Sequence, residues 1–306
     1  MKQIYDMVII GGGPAGYTSA LYGARAGLSA LVIEKLTIGG QLALTDTVEN
    51  YPGFDEGIDG FTLGMKMQSG AEKFGAETLY SEVLSLDLSA EPRRLLTTEG
   101  EILARTVVIA TGAYPRLLGV TGEERFLGRG VHICAHCDGR FYKGKTVLVV
   151  GGGNSAVEDA LYLSRLCERV IVVHRRDTLR AERVLVEAVK KQENITLLYQ
   201  STVEEFLGED TFRGVRIRNS ESGEVSEVLV DGAFVSVGRV PATGFLPKEI
   251  VLDENGYILA DESTRTSVAG VYAVGDVRTK PLRQIVTAVS DGAVAVEHIK
   301  GYLMNS

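Results

Sequence analysis

The chain has few cysteines and no long apolar run. Three cysteines among 306 residues are too few for a secreted fold held together by disulfides. No apolar stretch approaches the roughly 18 residues that a membrane span requires. Residues 1–10 carry charge beside one short apolar strand, unlike a signal-peptide core. These absences predict a soluble protein of the cytoplasm, with no membrane as partner.

The chain also has fewer basic than acidic residues. Lysine and arginine together number 32 against 40 aspartate and glutamate residues, which gives a net charge of −8 and argues against nucleic acid as a partner. The hydrophobic fraction of 45% and the charged fraction of 24% are typical of a globular chain. The length suggests about two domains, each with its own core.

Two segments of similar pattern stand in different halves of the chain. The first predicts a strand over residues 7–10, a glycine-rich turn over 11–16, a helix over 17–26 and a strand over 30–33. The second predicts a strand over 146–150, a glycine-rich turn over 151–156, a helix over 157–166 and a strand over 170–173. Each order of elements is typical of a βαβ unit.

The two glycine-rich turns predict two dinucleotide sites. In such a turn the first glycine allows a tight bend, the second lets the backbone approach a pyrophosphate, and the third small residue lets helix and strand pack closely. The phosphate lies on unpaired N–H groups at the helix N-terminus. One such turn is a weak signal, and two in strand-turn-helix-strand context are strong. The predicted contacts are Gly11, Gly13, Pro14, Ala15 and Gly16 in the first turn, and Gly151, Gly153, Asn154, Ser155 and Ala156 in the second.

The residue that ends the second strand of each unit distinguishes the two ligands. Glu34 can accept hydrogen bonds from ribose hydroxyls, as expected for FAD or NAD. The second unit has His174 in that place, followed by Arg175, Arg176 and Arg180. This cationic cluster favours the 2′-phosphate of NADPH over NADH. The alternative is that these arginines only solvate the start of a helix.

A Cys-x-x-Cys pair, Cys134 and Cys137, stands between the two turns. Such a pair can close a disulfide and often contains a thiol of lowered pKa, and the thiolate is the species that attacks disulfides. The spacing also suits zinc, but structural zinc takes about four ligands, and the nearby histidines and the third cysteine form no clean second pair. Haem attachment requires a histidine where Asp138 stands. The pair therefore indicates electron transfer beside two nucleotide sites, with no metal.

Taken together, these motifs resemble the bacterial low-molecular-weight thioredoxin reductases over nearly the whole chain. Besides the two turns, the arginine cluster and the cysteine pair, the shared motifs are residues 39–41, 49–50, 110–112, 138–139, 275–276 and 283–284. Single motifs of this set are common, and their joint presence in this order is specific. The resemblance implies an α/β fold with two Rossmann-like dinucleotide-binding domains, the NADPH domain being inserted into a discontinuous FAD domain.

Turn-forming stretches at residues 112–115 and 240–244 flank the second glycine-rich unit and support an insertion there. We therefore predict an FAD-binding domain over 1–113 and 243–306, and an NADPH-binding domain with the cysteine pair over 114–242. Other predicted elements are short antiparallel strands near 83–88 and 212–218, a polar turn at 219–223, a strand over 271–274 and a helix over 284–303.

The resemblance implies further cofactor contacts outside the two turns. In similar proteins Asp276 reaches the ribityl and phosphate region of FAD, and Arg283, Gln284 and Ile285 lie along the isoalloxazine. Alone, residues 275–276 could be a plain turn. The remaining implied contacts are Lys35, Gly40, Gln41, Asn50, Val83, Ala110, Thr111, Gly112, Gly238 and Gly275.

The activity that the resemblance implies is NADPH-dependent thioredoxin-disulfide reduction. Electrons pass from NADPH to FAD, then to the disulfide of Cys134 and Cys137, and then to the disulfide of thioredoxin or a thioredoxin-like protein. By resemblance Cys137 faces the flavin, Cys134 attacks the partner, and Asp138 exchanges protons with the thiols. Asp138 could instead be the N-cap of the following helix. The resemblance also implies a homodimer.

Other interpretations stay open from the sequence. A dithiol oxidase with oxygen as acceptor, or a relative that draws electrons from ferredoxin, would share the fold without needing the arginine cluster. A nucleotide-binding or zinc-stabilised interaction module would leave the two turns and the cysteine pair without a joint role. His136, where similar proteins have a small or hydroxyl residue, either tunes the dithiol or is an exposed residue without a role. Cys167 is predicted to be a buried, small apolar residue.

Overall fold

The chain leaves its first compact unit after residue 114 and returns to it at residue 240. The computed structural model describes residues 3–45 and 47–305. The chain divides into one unit of Met1–Tyr114 with Val240–Ser306 and a second unit of Pro115–Arg239. The boundaries predicted from the sequence, 113/114 and 242/243, lie close to these divisions. The assignment of one cofactor to each unit stays a prediction.

The elements follow one another in three stretches. Up to the first division they are β1 (Ile4–Ile10), α1 (Pro14–Arg25), β2 (Ala30–Glu34), α2 (Gly60–Glu72), β3 (Glu77–Tyr80), β4 (Val83–Asp87), β5 (Arg93–Thr97), β6 (Gly100–Ile109) and β7 (Ala113–Pro115). The inserted stretch contains α3 (Glu123–Phe126), β8 (Val131–His132), α4 (Ala135–Asp138), β9 (Thr146–Val150), α5 (Asn154–Leu163), β10 (Arg169–Val173), α6 (Arg183–Lys190), β11 (Ile195–Leu198), β12 (Ser201–Gly208), β13 (Phe212–Asn219), β14 (Val225–Leu229) and β15 (Gly232–Val235). The last stretch contains β16 (Arg239–Pro241), β17 (Val271–Ala273) and α7 (Ile285–Met304), and short 3-10 helices cover Gly40–Leu44, Gly139–Tyr142 and Gly275–Val277.

A mixed sheet forms the centre of the first unit. Its strand order is β3-β2-β1-β6-β5-β4, with β17 also paired to β6. Strands β3, β2, β1, β6 and β17 are parallel, while β4 and β5 are antiparallel to their neighbours. Ligands of open α/β sheets bind outside the carboxyl ends of parallel strands. The pairing places the residues that follow β1, β2 and β6 at that edge.

Apolar residues of β1 are buried on both faces of this sheet. Val8 and Ile10 belong to one core cluster, while Met7 and Ile9 belong to the other, as the alternation of side chains along a strand requires. Helices α1 and α7 cover the second face. There the Ser19 hydroxyl donates to the Gly292 carbonyl at 3.3 Å. The carboxy-terminal helix thus packs directly against the first helix.

The second unit has a fully parallel sheet with the order β11-β10-β9-β15-β8 and an antiparallel sheet of β12, β13 and β14. Leu148 and Val150 of β9 pack in one core cluster, and Val147 and Val149 pack in another on the opposite face. Because β9 is buried on both faces, its sequence is a continuous apolar run and does not alternate between apolar and polar residues. The predicted α/β fold with two Rossmann-type units is confirmed.

Both crossover helices begin earlier than the sequence predicted. Helix α1 begins at Pro14 and α5 at Asn154, each about three residues inside the glycine-rich turn. Both have a glycine N-cap, which suits a helix start, and α1 also has a proline at N1. The strands predicted near residues 83–88 and 212–218 are confirmed as β4 and β13, and the predicted carboxy-terminal helix is confirmed as α7. In the part of the chain that the structure describes, no helix is long and apolar enough to cross a membrane.

The two connecting segments pair with each other. Strands β7 and β16 form a two-stranded sheet, bordered by hydrogen bonds from the Arg116 N–H to the Gly238 carbonyl and from the Ala242 N–H to the Gly112 carbonyl, each 3.0 Å long. The two ends of the inserted segment therefore lie side by side.

Candidate functional site

The first glycine-rich turn connects β1 to α1 at the carboxyl edge of the sheet. The Gly11 N–H donates to the Ile33 carbonyl at 2.8 Å, and Gly11 has a φ of +108°. A Cβ at Gly11 would lie 2.5 Å from the Ala110 carbonyl oxygen, and a Cβ at Gly16 would lie 1.9 Å from the Gly11 carbonyl oxygen. Both positions therefore require glycine, and the turn is held against the residues that follow β6.

The N-terminus of α1 is open to a ligand. Gly13 is its N-cap and provides no side-chain cap, and Pro14 occupies the first turn. A Cβ at Gly13 would meet nothing nearer than the Gly39 carbonyl oxygen at 3.8 Å. Unpaired N–H groups at the start of a helix bind phosphate well. The turn therefore fits the pyrophosphate of a dinucleotide.

Glu34 ends β2 beside this turn, buried except for 8% of its surface. Its Oε2 accepts a hydrogen bond from the Gly12 N–H at 2.6 Å, and its Oε1 accepts one from the Leu36 N–H at 2.8 Å. Each carboxylate oxygen can accept more than one hydrogen bond. The backbone thus fixes the orientation of Glu34 and leaves acceptor capacity for ribose hydroxyls.

Other predicted cofactor residues of the first unit gather around the turn. The Gly39 N–H donates to the Gly12 carbonyl at 2.8 Å, and a Cβ at Gly275 would lie 3.0 Å from the Ala15 Cβ. The Ala110 N–H donates to the carbonyl of Ile10, the residue before the turn, at 2.8 Å. Two further hydrogen bonds join predicted contacts to each other: Asn50 Nδ2 to Gln284 Oε1 at 3.1 Å, and Arg283 Nε to the Asp276 carbonyl at 3.4 Å. Gly40 and Gln41 begin the 3-10 helix that follows Gly39, and Ile285 begins α7.

Four predicted cofactor contacts either have side chains bonded or packed away from the turn or lie at the segments that connect the two units. Lys35 is exposed and its Nζ donates to Glu82 at 2.7 Å. Val83 lies in β4 with its side chain in a core cluster. The Thr111 hydroxyl donates to the Ala242 carbonyl at 2.9 Å, and the Gly238 carbonyl accepts from Arg116. Their roles toward a cofactor stay predictions.

A buried charge network that the sequence analysis missed supports the Gly275 turn. Oδ2 of Asp291 in α7 accepts hydrogen bonds of 2.8 Å each from the Gly275 N–H, Arg278 Nε and Lys280 Nζ. Oδ1 accepts from Arg278 Nη2, also at 2.8 Å. Only 2%, 4% and 6% of the Arg278, Lys280 and Asp291 side chains are exposed. One carboxylate thus holds the turn that carries Asp276.

The substitution Asp291→Asn is expected to lower the free energy of unfolding by about 3 kcal/mol at pH 7, because removing one member of a buried ion pair leaves uncompensated charge. Burial alone would raise the pKa of Asp291, but hydrogen bonds from Arg278 and Lys280 outweigh it and hold that pKa below its usual value. A lowered folded-state pKa contributes stability above the unfolded pKa of about 3.9, and the contribution is lost as pH falls through the folded value. Urea unfolding at pH 7 and at successively lower pH measures both effects.

The matched control for this prediction is Asp261→Asn. Asp261 is exposed and its carboxylate accepts from Ser263, so its loss should change the urea midpoint little. Equal midpoints for the Asp291→Asn protein and the native chain would contradict the proposed support of the Gly275 turn.

The second glycine-rich turn repeats this arrangement within the second unit. The Gly151 N–H donates to the Val173 carbonyl at 3.0 Å. Gly153 is the N-cap of α5 and provides no side-chain cap, and a Cβ placed there would meet nothing within 4 Å. Ala156 is fully buried beneath the turn. The N-terminus of α5 therefore fits a second pyrophosphate.

The arginine-bearing segment after β10 is tied to this turn. The Arg180 N–H donates to the Gly152 carbonyl at 2.6 Å. The side chains of Arg175, Arg176 and Arg180 are exposed, while His174 is buried, and a Cβ at Gly152 would lie 2.3 Å from its ring. Burial lowers the pKa of His174, and the neighbouring arginines lower it further. A buried histidine and three exposed arginines thus lie on the segment where a 2′-phosphate is predicted to bind.

Glu182 is a further residue that the sequence analysis missed. Its Oε1 accepts from Asn154 Nδ2 at 3.0 Å, and its N–H donates to Asn154 Oδ1 at 2.8 Å. This double contact fixes the first residue of α5. No spacing in the sequence indicates it, because Asn154 begins α5 and Glu182 is the N-cap of α6, 28 residues later.

Cys134 and Cys137 form a disulfide with an S–S distance of 2.10 Å. Cys134 is the N-cap of the one-turn helix α4, and its Sγ accepts from the Cys137 N–H at 3.2 Å. Asp138 is the last residue of α4, and its side chain does not cap the 3-10 helix that follows. Asp138 does stand at the N-cap position of that 3-10 helix, without a side-chain capping hydrogen bond. Its Oδ2 instead lies 3.0 Å from His132 Nδ1.

The other cysteine and the histidine inside the pair have different surroundings. Cys167 is buried, as predicted, and burial raises the pKa of its thiol to about 11. His136 is half exposed and its ring stacks on Tyr162 with centroids 4.3 Å apart. Its Nδ1 lies 3.8 Å from Asp159 Oδ1. Among the described residues, no group of three or more potential ligands is placed to hold a metal ion.

Comparisons with known proteins agree with this geometry over the full chain. Residues 5–292 match the family described as pyridine nucleotide-disulphide oxidoreductase. A thioredoxin reductase of Listeria monocytogenes is 46% identical over 303 residues, which cover 99% of this chain and 95% of that protein. One from Treponema pallidum is 43% identical over 303 residues, covering 99% and 98%. The crystal structure of thioredoxin reductase from Streptococcus pyogenes MGAS5005 has a TM-score of 0.94, 44% identity and full coverage of both chains.

Proposed function

The chain belongs to the pyridine nucleotide-disulphide oxidoreductase family, and from this membership we propose that it is an NADPH-dependent thioredoxin-disulfide reductase. The observation that carries the proposal is the Cys134–Cys137 disulfide, which stands in one chain with two open, glycine-rich helix starts. Full-length relatives that are thioredoxin reductases support it.

FAD fits the first unit and NADPH fits the second. The α1 N-terminus, Glu34 and the Asp276 turn would hold FAD, with Arg283, Gln284 and Asn50 beside it. The α5 N-terminus, His174 and the three arginines would hold NADPH, because guanidinium groups make charge-assisted hydrogen bonds to phosphate. When bound, FAD supplies the two-electron chemistry that connects a nicotinamide to a disulfide.

The cysteine pair carries the exchange with the partner. We assign the attack on the partner's disulfide to Cys134 and the flavin-facing position to Cys137. The Cys134 thiolate forms a mixed disulfide as it releases one partner thiol, and Cys137 then attacks Cys134 and releases the second. Asp138 accepts and returns the thiol protons. The net reaction converts NADPH, one proton and a disulfide into NADP⁺ and a dithiol.

We further propose that the partner is thioredoxin or a thioredoxin-like protein and that the enzyme acts as a homodimer in the cytoplasm. The relatives' shared activity supports the first point, and resemblance to the bacterial enzymes supports the others. Sedimentation of the purified protein tests the dimer, which predicts about twice the 32.9 kDa chain mass.

One anaerobic titration tests the electron path. Adding NADPH to the purified protein should bleach the flavin absorbance, and oxidised thioredoxin in excess should restore it. NADH should bleach it much more slowly. No bleaching by NADPH would contradict the cofactor assignment and favour the ferredoxin-linked or oxidase functions, while bleaching without recovery would identify a different disulfide partner.

A further inference from the structure

A buried histidine joins Asp138 to a tyrosine. His132 ends β8, and only 8% of its side chain is exposed, against 20% for that of Asp138. Its Nδ1 lies 3.0 Å from Asp138 Oδ2, and its Nε2 lies 2.6 Å from the Tyr142 hydroxyl. The imidazole also stacks on Phe234, with centroids 5.4 Å apart and an angle of 29° between the rings. Both ring nitrogens are engaged, and the ring itself is held.

The chemistry of the two neighbours fixes the direction of these hydrogen bonds. A carboxylate only accepts, so Nδ1 must carry the proton that it donates to Asp138. In a neutral imidazole Nε2 is then an acceptor, and the Tyr142 hydroxyl must donate to it. Burial raises the pKa of Tyr142 to about 12, with further contributions from Asp138 and Asp231. The hydroxyl therefore keeps its proton and remains a donor at neutral pH.

We propose that His132, oriented by Tyr142, is a positioning residue that holds Asp138 Oδ2 and directs the other carboxylate oxygen to proton exchange with the dithiol. This inference rests on the proposed function. Within residues 3–45 and 47–305, Oδ1 of Asp138 accepts no hydrogen bond, and Asp138 adjoins Cys137 on α4. If the Asp138 carboxylate rotated freely, Oδ1 would no longer be directed at the dithiol. A correctly placed acid or base contributes about 10²–10⁴-fold in rate.

The first arm of the test needs no partner protein. The chain has four histidines, so ¹⁵N labelling of histidine gives a spectrum simple enough to assign, and the signals lost in His132→Asn identify His132. The expected state of oxidised protein at pH 7 has a proton on Nδ1. An Nδ1 without a proton would overturn the proposal, because it cannot donate to Asp138.

The second arm measures the dithiol step alone. In His132→Leu the rate of thioredoxin reduction by prereduced enzyme should fall about ten- to a hundred-fold, with the KM for thioredoxin and the reduction of flavin by NADPH unchanged. His132→Asn, whose amide can donate in place of Nδ1, should restore most of the rate. Tyr142→Phe, which keeps the ring, should cause a smaller loss. His298→Gln, half-buried in the other unit, is the matched control and should behave as the native chain.

A double-mutant cycle decides whether His132 acts through Asp138. If it does, adding His132→Leu to Asp138→Asn should cause little further loss, since the oriented carboxylate is already absent. If the rate loss of the double variant equalled the product of the two single losses, the proposal would be overturned. A native rate of thioredoxin reduction in His132→Leu would also overturn it. If the native enzyme reduced no thioredoxin, the proposed function would fail, and the histidine spectrum would still decide the His132 contact.

Discussion

Thioredoxin reduction should fall by at least about a thousand-fold in Cys134→Ser, since loss of the nucleophile removes most of the rate in enzymes that act through one. Serine cannot close the disulfide seen with Cys137, and its hydroxyl is not ionised at neutral pH. The reduction of flavin by NADPH should persist, because the residues assigned to both cofactors are unchanged. Stopped-flow flavin absorbance and steady-state turnover with thioredoxin measure the two steps separately.

The matched control is Cys167→Ala, which removes the chain's other thiol from a buried position. It should leave turnover unchanged and cost about 1 kcal/mol of stability through the small cavity that it creates. Native turnover in Cys134→Ser would contradict the dithiol assignment and, with it, the proposed activity. Loss of turnover in Cys167→Ala with flavin reduction intact would instead require a role for the third cysteine.

The preference for NADPH over NADH should disappear when Arg175 and Arg180 are both replaced by alanine. Each charge-assisted hydrogen bond to the 2′-phosphate contributes about 1.5–3 kcal/mol, so loss of two should weaken NADPH binding by about a hundred-fold or more. The affinity for NADH, which lacks that phosphate, should change little. Flavin reduction at a series of NADPH and NADH concentrations gives both affinities.

Arg183→Ala provides the control for charge alone. Arg183 is highly exposed at the start of α6 and pairs with Glu187 at 2.8 Å, so its removal changes the net charge without touching the predicted phosphate position. A similar loss of NADPH affinity in this variant would indicate a general electrostatic effect. An equal loss of affinity for NADPH and for NADH in the double variant would show that the arginines do not bind the 2′-phosphate.

The sequence predicted the parts of the fold that local pattern controls. The apolar runs before the two glycine-rich turns correctly predicted β1 and β9, because a strand buried on both faces consists of consecutive apolar residues. The starts of α1 and α5 were predicted about three residues too late, since glycine counts against a helix interior but suits an N-cap, and the proline of α1 suits its first position. The family and the fold class were confirmed.

The supporting networks could not be predicted, because they depend on contacts that no periodicity encodes. Asp291 lies 13 residues from Arg278 in the chain, and the two meet only because α7 packs back against the turn after β17. The sequence analysis considered the histidines near the cysteine pair only as metal ligands and rejected them, yet α4 and the following 3-10 helix bring Asp138 and Tyr142 to the two ring nitrogens of His132. Charged and aromatic side chains in loops give no signal of their partners.

The pairing of β7 with β16 bears on how this chain can fold. Closing a loop costs conformational entropy that grows only slowly with length, about 0.6 kcal/mol for each doubling. The inserted segment begins and ends on adjacent, hydrogen-bonded strands. Once the insertion has folded, it therefore separates the two parts of the first unit by no more than a hairpin connection would. The two separated parts of the first unit can therefore associate at almost the loop-closure cost of contiguous segments.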